Sequence, residues 1–131
     1  MSESSSTRGA SLEDVSLRAE GGDEAQRLVA IAALGMCHAL ASGVVTAAYA
    51  CQQLLGPALL ARLETPGVHP ELRRAIHLAT ELEDVADLVP DKLHVSITEI
   101  ENKLLAVLSS LASAEVTGAK WLVKRPVPAP H

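Results

Sequence analysis

Aromatic side chains are almost missing from this chain: Tyr49 and Trp121 are the only two, and there is no phenylalanine. A core without rings must be assembled from Leu, Val, Ile and Ala, whose small side chains let helices approach closely. Alanine is the strongest helix former and a poor strand residue, so the composition points to an all-α fold. Cysteine is scarce too. Cys37 and Cys51 are the only pair, too few for a disulfide scaffold. The polar start Met1-Ser2-Glu3-Ser4 lacks the apolar region of a secretory signal. Free thiols in a reducing cytoplasm are the expectation.

Charge is absent from Leu28 to Ala61, which contain no Asp, Glu, Lys or Arg. Such a stretch is either a membrane hairpin or the buried centre of a helical bundle. A span needs roughly 20 apolar residues, and Leu28 to Ala50 has that length. Its quality is poor: Gly35, His38, Ser42, Gly43 and Thr46 interrupt it, and no aromatic belt flanks it. Ala41-Ser42-Gly43 also reads as a break that leaves each half too short. The bundle is favoured, with no membrane partner. A net charge of −5 argues against nucleic acid or anionic lipid as the main partner.

Catalytic signatures are absent as well. There is no G-x-S-x-G elbow and no glycine-rich phosphate loop. Cys37 and His38 are neighbours, so on a helix they point about 100° apart and cannot act as nucleophile and base together. Cys51 approaching His38 across a hairpin would still be a thiol among alanines, normally inert. The expectation is a non-enzymatic protein with no catalytic residue, no cofactor and no metal.

What is present reads as one helical domain over residues 23–125, a compact bundle of four to five helices. Residues 1–22 are serine-rich without a sustained apolar period and predict a disordered tail, broken at most by a short helix at Leu12–Leu17. Pro126-Val127-Pro128-Ala129-Pro130-His131 predicts an extended end. Asp23 is the expected N-cap of a helix over about Glu24–Ala41, with Leu28, Ile31, Ala32, Gly35 and Ala39 at helical spacing. Thr46 caps a second, about Ala47–Leu55, ended by Gly56-Pro57. A short helix over Ala58–Glu64 closes at Thr65-Pro66-Gly67. Pro70 starts a third main helix running to Leu88, with Leu72, Ala75, Ile76, Ala79, Leu82, Ala86 and Val89 inward. Its outer stripe is Arg74, His77, Glu81 and Asp84, and Pro90 stops it. Asp91 caps the fourth, whose Leu93, Ile97, Ile100, Leu104, Val107 and Leu111 repeat every seven residues. Leu105 and Leu108 widen that face.

Two blocks resemble a known family. One is Gly35-Met36-Cys37-His38-Ala39-Leu40-Ala41-Ser42-Gly43. The other is Ile76-His77-Leu78-Ala79-Thr80-Glu81-Leu82-Glu83-Asp84-Val85, continuing through Leu88-Val89-Pro90 to Ile97 and Ile100. Together, over roughly residues 27–111, they resemble a small bacterial all-helical family catalogued as a domain of unknown function. The resemblance implies a compact helical protein and assigns no catalytic residue.

The densest charge is the acidic group Glu81, Glu83, Asp84, Asp87 and Asp91. On a helix ending at Leu88 these carboxylates fall toward the C-terminus, where the macrodipole disfavours them. That local cost invites a function such as docking a basic partner surface, as an inhibitor or immunity-type protein would. The plainer reading, a solvated outer face, is the more common one. The alternative is a metal-binding or enzymatic protein, with His77, Glu81 and Asp84 converging on a metal from one helix face. A single helix cannot wrap a cation, so His77 with Glu81 reads more simply as an exposed i,i+4 pair. Lys120, Lys124 and Arg125 beside Trp121 make a small basic end, too weak for a nucleic-acid or membrane site, and Trp121 filling a groove on its own bundle is the better reading. The uncharged stretch also predicts a homodimer, in which close alanine and glycine packing joins two copies, or a self-associating structural component.

Overall fold

The computed structural model describes residues 14–111 and 120–123. Among the described residues six α-helices follow one another: α1 (Gly22–Ala41), α2 (Ala47–Gln53), α3 (Pro57–Arg62), α4 (Pro70–Ala79), α5 (Leu82–Leu88) and α6 (Leu93–Ser110). A 3₁₀ turn, Pro90–Lys92, joins the last two. The fold is all-α and compact, and no helix among the described residues is long and apolar enough to cross a membrane.

α6 lies between α1 and α4 and is the axis of the core. Its seven-residue repeat faces inward as expected: Ile97, Ile100, Leu104 and Val107 are buried, with Leu93 and Leu111 packed at the ends. Leu105, read as widening that face, is exposed. α4 offers Leu72, Ala75, Ile76 and Ala79 from the other side.

α1 turns a different face inward than its apolar spacing predicts. The buried residues are Gln26, Ala30, Ala33, Cys37 and Leu40, spaced 4, 3, 4, 3, whereas Ile31 is 46% exposed and Gly35 is exposed. Ile31 lies on the side of the helix that carries Asp23, Glu24, Arg27 and His38, while the small Ala30, Ala33 and Cys37 fall on the side that packs inward.

The helix ends explain the path of the chain. α1 starts after Gly21 rather than at Asp23, which instead lies in its first turn with Glu24. It closes in a Schellman motif, with Val44 N–H bonded to Ala39 O and Gly43 N–H to Leu40 O, both at 3.1 Å. Gly43 takes φ +80° there, which glycine adopts without penalty. Thr46 caps α2 as expected, its hydroxyl accepting from the Tyr49 N–H at 3.0 Å. Gly56 then lets the chain fold back on α2: a Cβ there would lie 2.5 Å from the Cys51 carbonyl oxygen. Pro70 opens α4, with His69 Nδ1 accepting from the Glu71 N–H. α6 is preceded by Lys92 without a side-chain cap, so Asp91 belongs to the 3₁₀ turn and does not cap it.

Two expectations for the chain ends need revision. Asp14 to Glu20, assigned by composition to a disordered tail and a short helix, is not helical. Leu17 pairs in antiparallel fashion with Leu122, through Arg18 N–H to Trp121 O at 2.7 Å and Val123 N–H to Ser16 O at 2.8 Å. This two-stranded bridge satisfies backbone groups that composition alone left unpaired. Residues 1–13, Lys124, Arg125 and the proline-rich 126–131 lie outside the described residues.

Candidate functional site

The helix expected to run from Pro70 to Leu88 is two helices. It breaks at Thr80-Glu81, where no glycine or proline stands. Thr80 hydroxyl donates to His77 O at 2.6 Å, and Glu81 N–H bonds Leu78 O at 3.1 Å in a tightened last turn. In an unbroken helix, the Glu83 N–H would bond the Ala79 carbonyl. Instead that carbonyl is met by the Cys51 thiol, from α2, which donates to Ala79 O at 3.5 Å. A side chain inserted into the hydrogen-bond ladder is a recognised cause of a helix break.

Burial raises the Cys51 pKa, the Glu83 N–H works in the opposite sense, and the charges of Glu83 and Asp84 add to the rise. Cys37 is pushed up to about 12 by burial, with Glu101 adding to it. Both thiols are unpaired and held in the protonated, unreactive form.

The break reverses the electrostatics of the acidic group. Glu83 and Asp84 occupy the first turn of α5, where the macrodipole favours negative charge rather than opposing it. The local cost read from an unbroken helix is therefore lifted for Glu83 and Asp84, while Asp87, in the last turn of α5, keeps it. The five carboxylates nevertheless follow one another along a single stretch of chain, the acidic edge at residues 81–91. Glu81 is the residue before α5, Asp87 is in its last turn, and Asp91 is in the 3₁₀ turn. All five are exposed, and none makes a hydrogen bond or ion pair among the described residues. No Lys or Arg occurs between Arg74 and Lys92. Within the same stretch Leu88 is 78% exposed and Val89 45%, and four residues after Asp91, in the first turn of α6, Val95 is 65% exposed.

The other acids are used differently. Glu71 accepts from Lys103 of α6 at 3.2 Å and from Arg74. The Lys103 hydrogen bond is the main reason its pKa falls below the ordinary value. Glu24 takes Arg27 on one oxygen at 2.8 Å and the Trp121 indole N–H on the other at 2.9 Å. Trp121 is half-buried, and its polar edge ties the 120–123 segment to α1. Buried Gln26 accepts from the His69 N–H at 2.8 Å and donates to Gly22 O at 3.3 Å. These ties escaped the sequence reading, since no local pattern links residues 43 or 97 positions apart.

His77 is exposed in the last turn of α4. Glu81 and Asp84 fall beyond the break, so the single face expected to carry the three is divided. Among the described residues, no three His, Cys, Asp or Glu side chains gather closely enough to hold a metal ion. Lys120 is exposed, while Trp121 faces its own bundle.

No curated protein and no solved structure matches this sequence. Residues 20–123 match the family described as "Protein of unknown function (DUF3969)", a range wider than the two resembling blocks. With most of its length matched, the chain belongs to that family of unknown function.

Proposed function

We propose that the protein is a non-enzymatic interaction module whose acidic edge, Glu81, Glu83, Asp84, Asp87 and Asp91, docks a basic partner surface. The observation that supports this reading is the exposure of Leu88, Val89 and Val95 among unpaired carboxylates. An apolar centre with a charged rim is the composition of an association site, and a field of one sign steers a basic partner toward it. Five of the sixteen acids fall between residues 81 and 91, where no Lys or Arg stands. An inhibitor or immunity-type protein of a bacterial cytoplasm is the specific version. The two unpaired thiols are in keeping with a reducing compartment.

Glu83→Lys with Asp84→Lys tests it. Affinity capture from the native host, with the unaltered chain, is expected to yield one stoichiometric partner released by salt. The double variant is expected to lose it. Undiminished capture by the double variant contradicts the reading.

A second reading, self-association, draws on the uncharged segment. Ile31, Val44 and Tyr49 are exposed there, and no charge between Arg27 and Arg62 would oppose a two-fold contact between copies. Light scattering on the eluting protein tests it: Ile31→Lys converts a dimer to a monomer if this face carries the contact, and a strictly monomeric parent rejects it.

A further inference from the structure

A groove of about 530 Å³ lies between the amino-terminal half of α1, α3 and the Thr65–Val68 turn. It is remote in sequence from the acidic edge and has no part in the function proposed above. Leu28, Val29, Leu59, Leu63 and Val68 supply apolar wall. Gln26 also lines it, and each end of its amide already has a partner, His69 N–H and Gly22 O, so neither end is orphaned. The volume falls within the roughly 300–1,000 Å³ typical of small-molecule sites, which are apolar with a few polar anchors.

Among the described residues, two charged ones line the groove, Asp23 and Arg62. Asp23 sits in the first turn of a 20-residue helix, whose free N–H groups offset its charge. Arg62 ends a six-residue helix, and its guanidinium has no hydrogen bond or ion pair among the described residues. Asp23 thus has the helix N-terminus to face, and Arg62 is the lining charge left to meet a ligand. We propose that this groove binds a single-chain amphiphile with an anionic head, of the fatty-carboxylate class, its tail along the leucine and valine wall and its carboxylate on Arg62.

Calorimetric titration of the full chain with decanoate, below its micellar concentration, tests this. Saturable one-to-one binding is expected, strengthening about two- to fourfold per added methylene from octanoate to dodecanoate. Decanol should bind about tenfold more weakly, for want of the charged hydrogen bond. Arg62→Gln should bring decanoate down to the decanol level. Ala25→Phe, at an exposed lining position, should abolish binding of both while the protein still melts cooperatively. Thr65→Phe on the opposite rim serves the same purpose if Ala25→Phe does not fold. No saturable heat, equal affinity for decanoate and decanol, or undiminished binding after the groove is filled would overturn the proposal. So would a dimer in light scattering that Ala25→Phe disperses, since the occupant would then be a second copy.

Discussion

α6 and α1 are of similar length and similar mean apolarity, yet they bury themselves by opposite rules. On α6 the large aliphatic residues, Ile97, Ile100 and Leu104, go inside and polar residues such as Thr98, Glu99 and Asn102 stay out. On α1 the small residues Ala30, Ala33 and Cys37 go inside while Ile31 faces water. Where a helix has a polar side, solvation fixes its rotation. On α1 that side carries Asp23, Glu24, Arg27 and His38 and takes Ile31 with it, so the small residues are what is left to face the neighbour.

The same substitution on the two helices separates these rules most sharply. Ile100→Ala, in the axis of the core, is expected to cost about 2–5 kcal/mol through lost burial and a residual cavity. Ile31→Ala should change stability by less than about 0.5 kcal/mol. Urea unfolding of both variants checks the pair, and comparable losses would mean that α1 is rotated from the orientation described. Gly56→Ala is expected to cost about 1–3 kcal/mol, because the new Cβ meets a backbone oxygen rather than a movable side chain. The same unfolding experiment reads it, and an unchanged midpoint would show that the α2–α3 corner has room to relax. Gln26→Ala leaves the His69 N–H without its partner and should cost about 1–3 kcal/mol. A destabilisation confined to a few tenths would imply that water replaces the amide.

The smallest effect contrasts paired and unpaired acids. The pKa of Glu71 is depressed, chiefly by the Lys103 hydrogen bond. Its contribution to stability is therefore present above its unfolded value and lost as pH falls through the lower, folded one. Glu71→Gln should remove that part of the acid limb, below about pH 4.5, and lower stability at neutral pH. Glu83→Gln, with no ion pair to lose, should leave both almost unchanged. Thermal melts from pH 3 to pH 7 distinguish them, and matching behaviour of the two variants would erase the distinction between the acids that hold the fold and those free to meet a partner.

Much of the architecture was legible in the sequence where a local pattern decides it. The heptad of α6, the Thr46 cap, the Gly43 break, the Thr65-Pro66-Gly67 turn and Pro70 at a helix start all follow from short-range chemistry. The break at Thr80-Glu81 was illegible because the contact made there, from the Cys51 thiol to Ala79 O, comes from 28 residues away. Glu81, Leu82 and Glu83 are good helix formers, so propensity argues against a break there. The acidic edge was found by counting charge, but its electrostatic setting followed the break and so was misread. The Leu17–Leu122 pairing was hidden for a related reason: one bridge between distant segments leaves no period to detect.

The burial of the uncharged α1 face is most directly tested at Cys37, in a Cys51→Ser chain that leaves it as the lone thiol. Serine keeps a donor and an acceptor at the helix break. With its sulphur buried and its pKa pushed up to about 12, Cys37 should resist a thiol reagent at pH 8. It should become labelled only as denaturant unfolds the whole chain, with an opening free energy equal to the global one. Labelling without denaturant, at the rate of an unfolded thiol, would contradict the packing of α1 against α6.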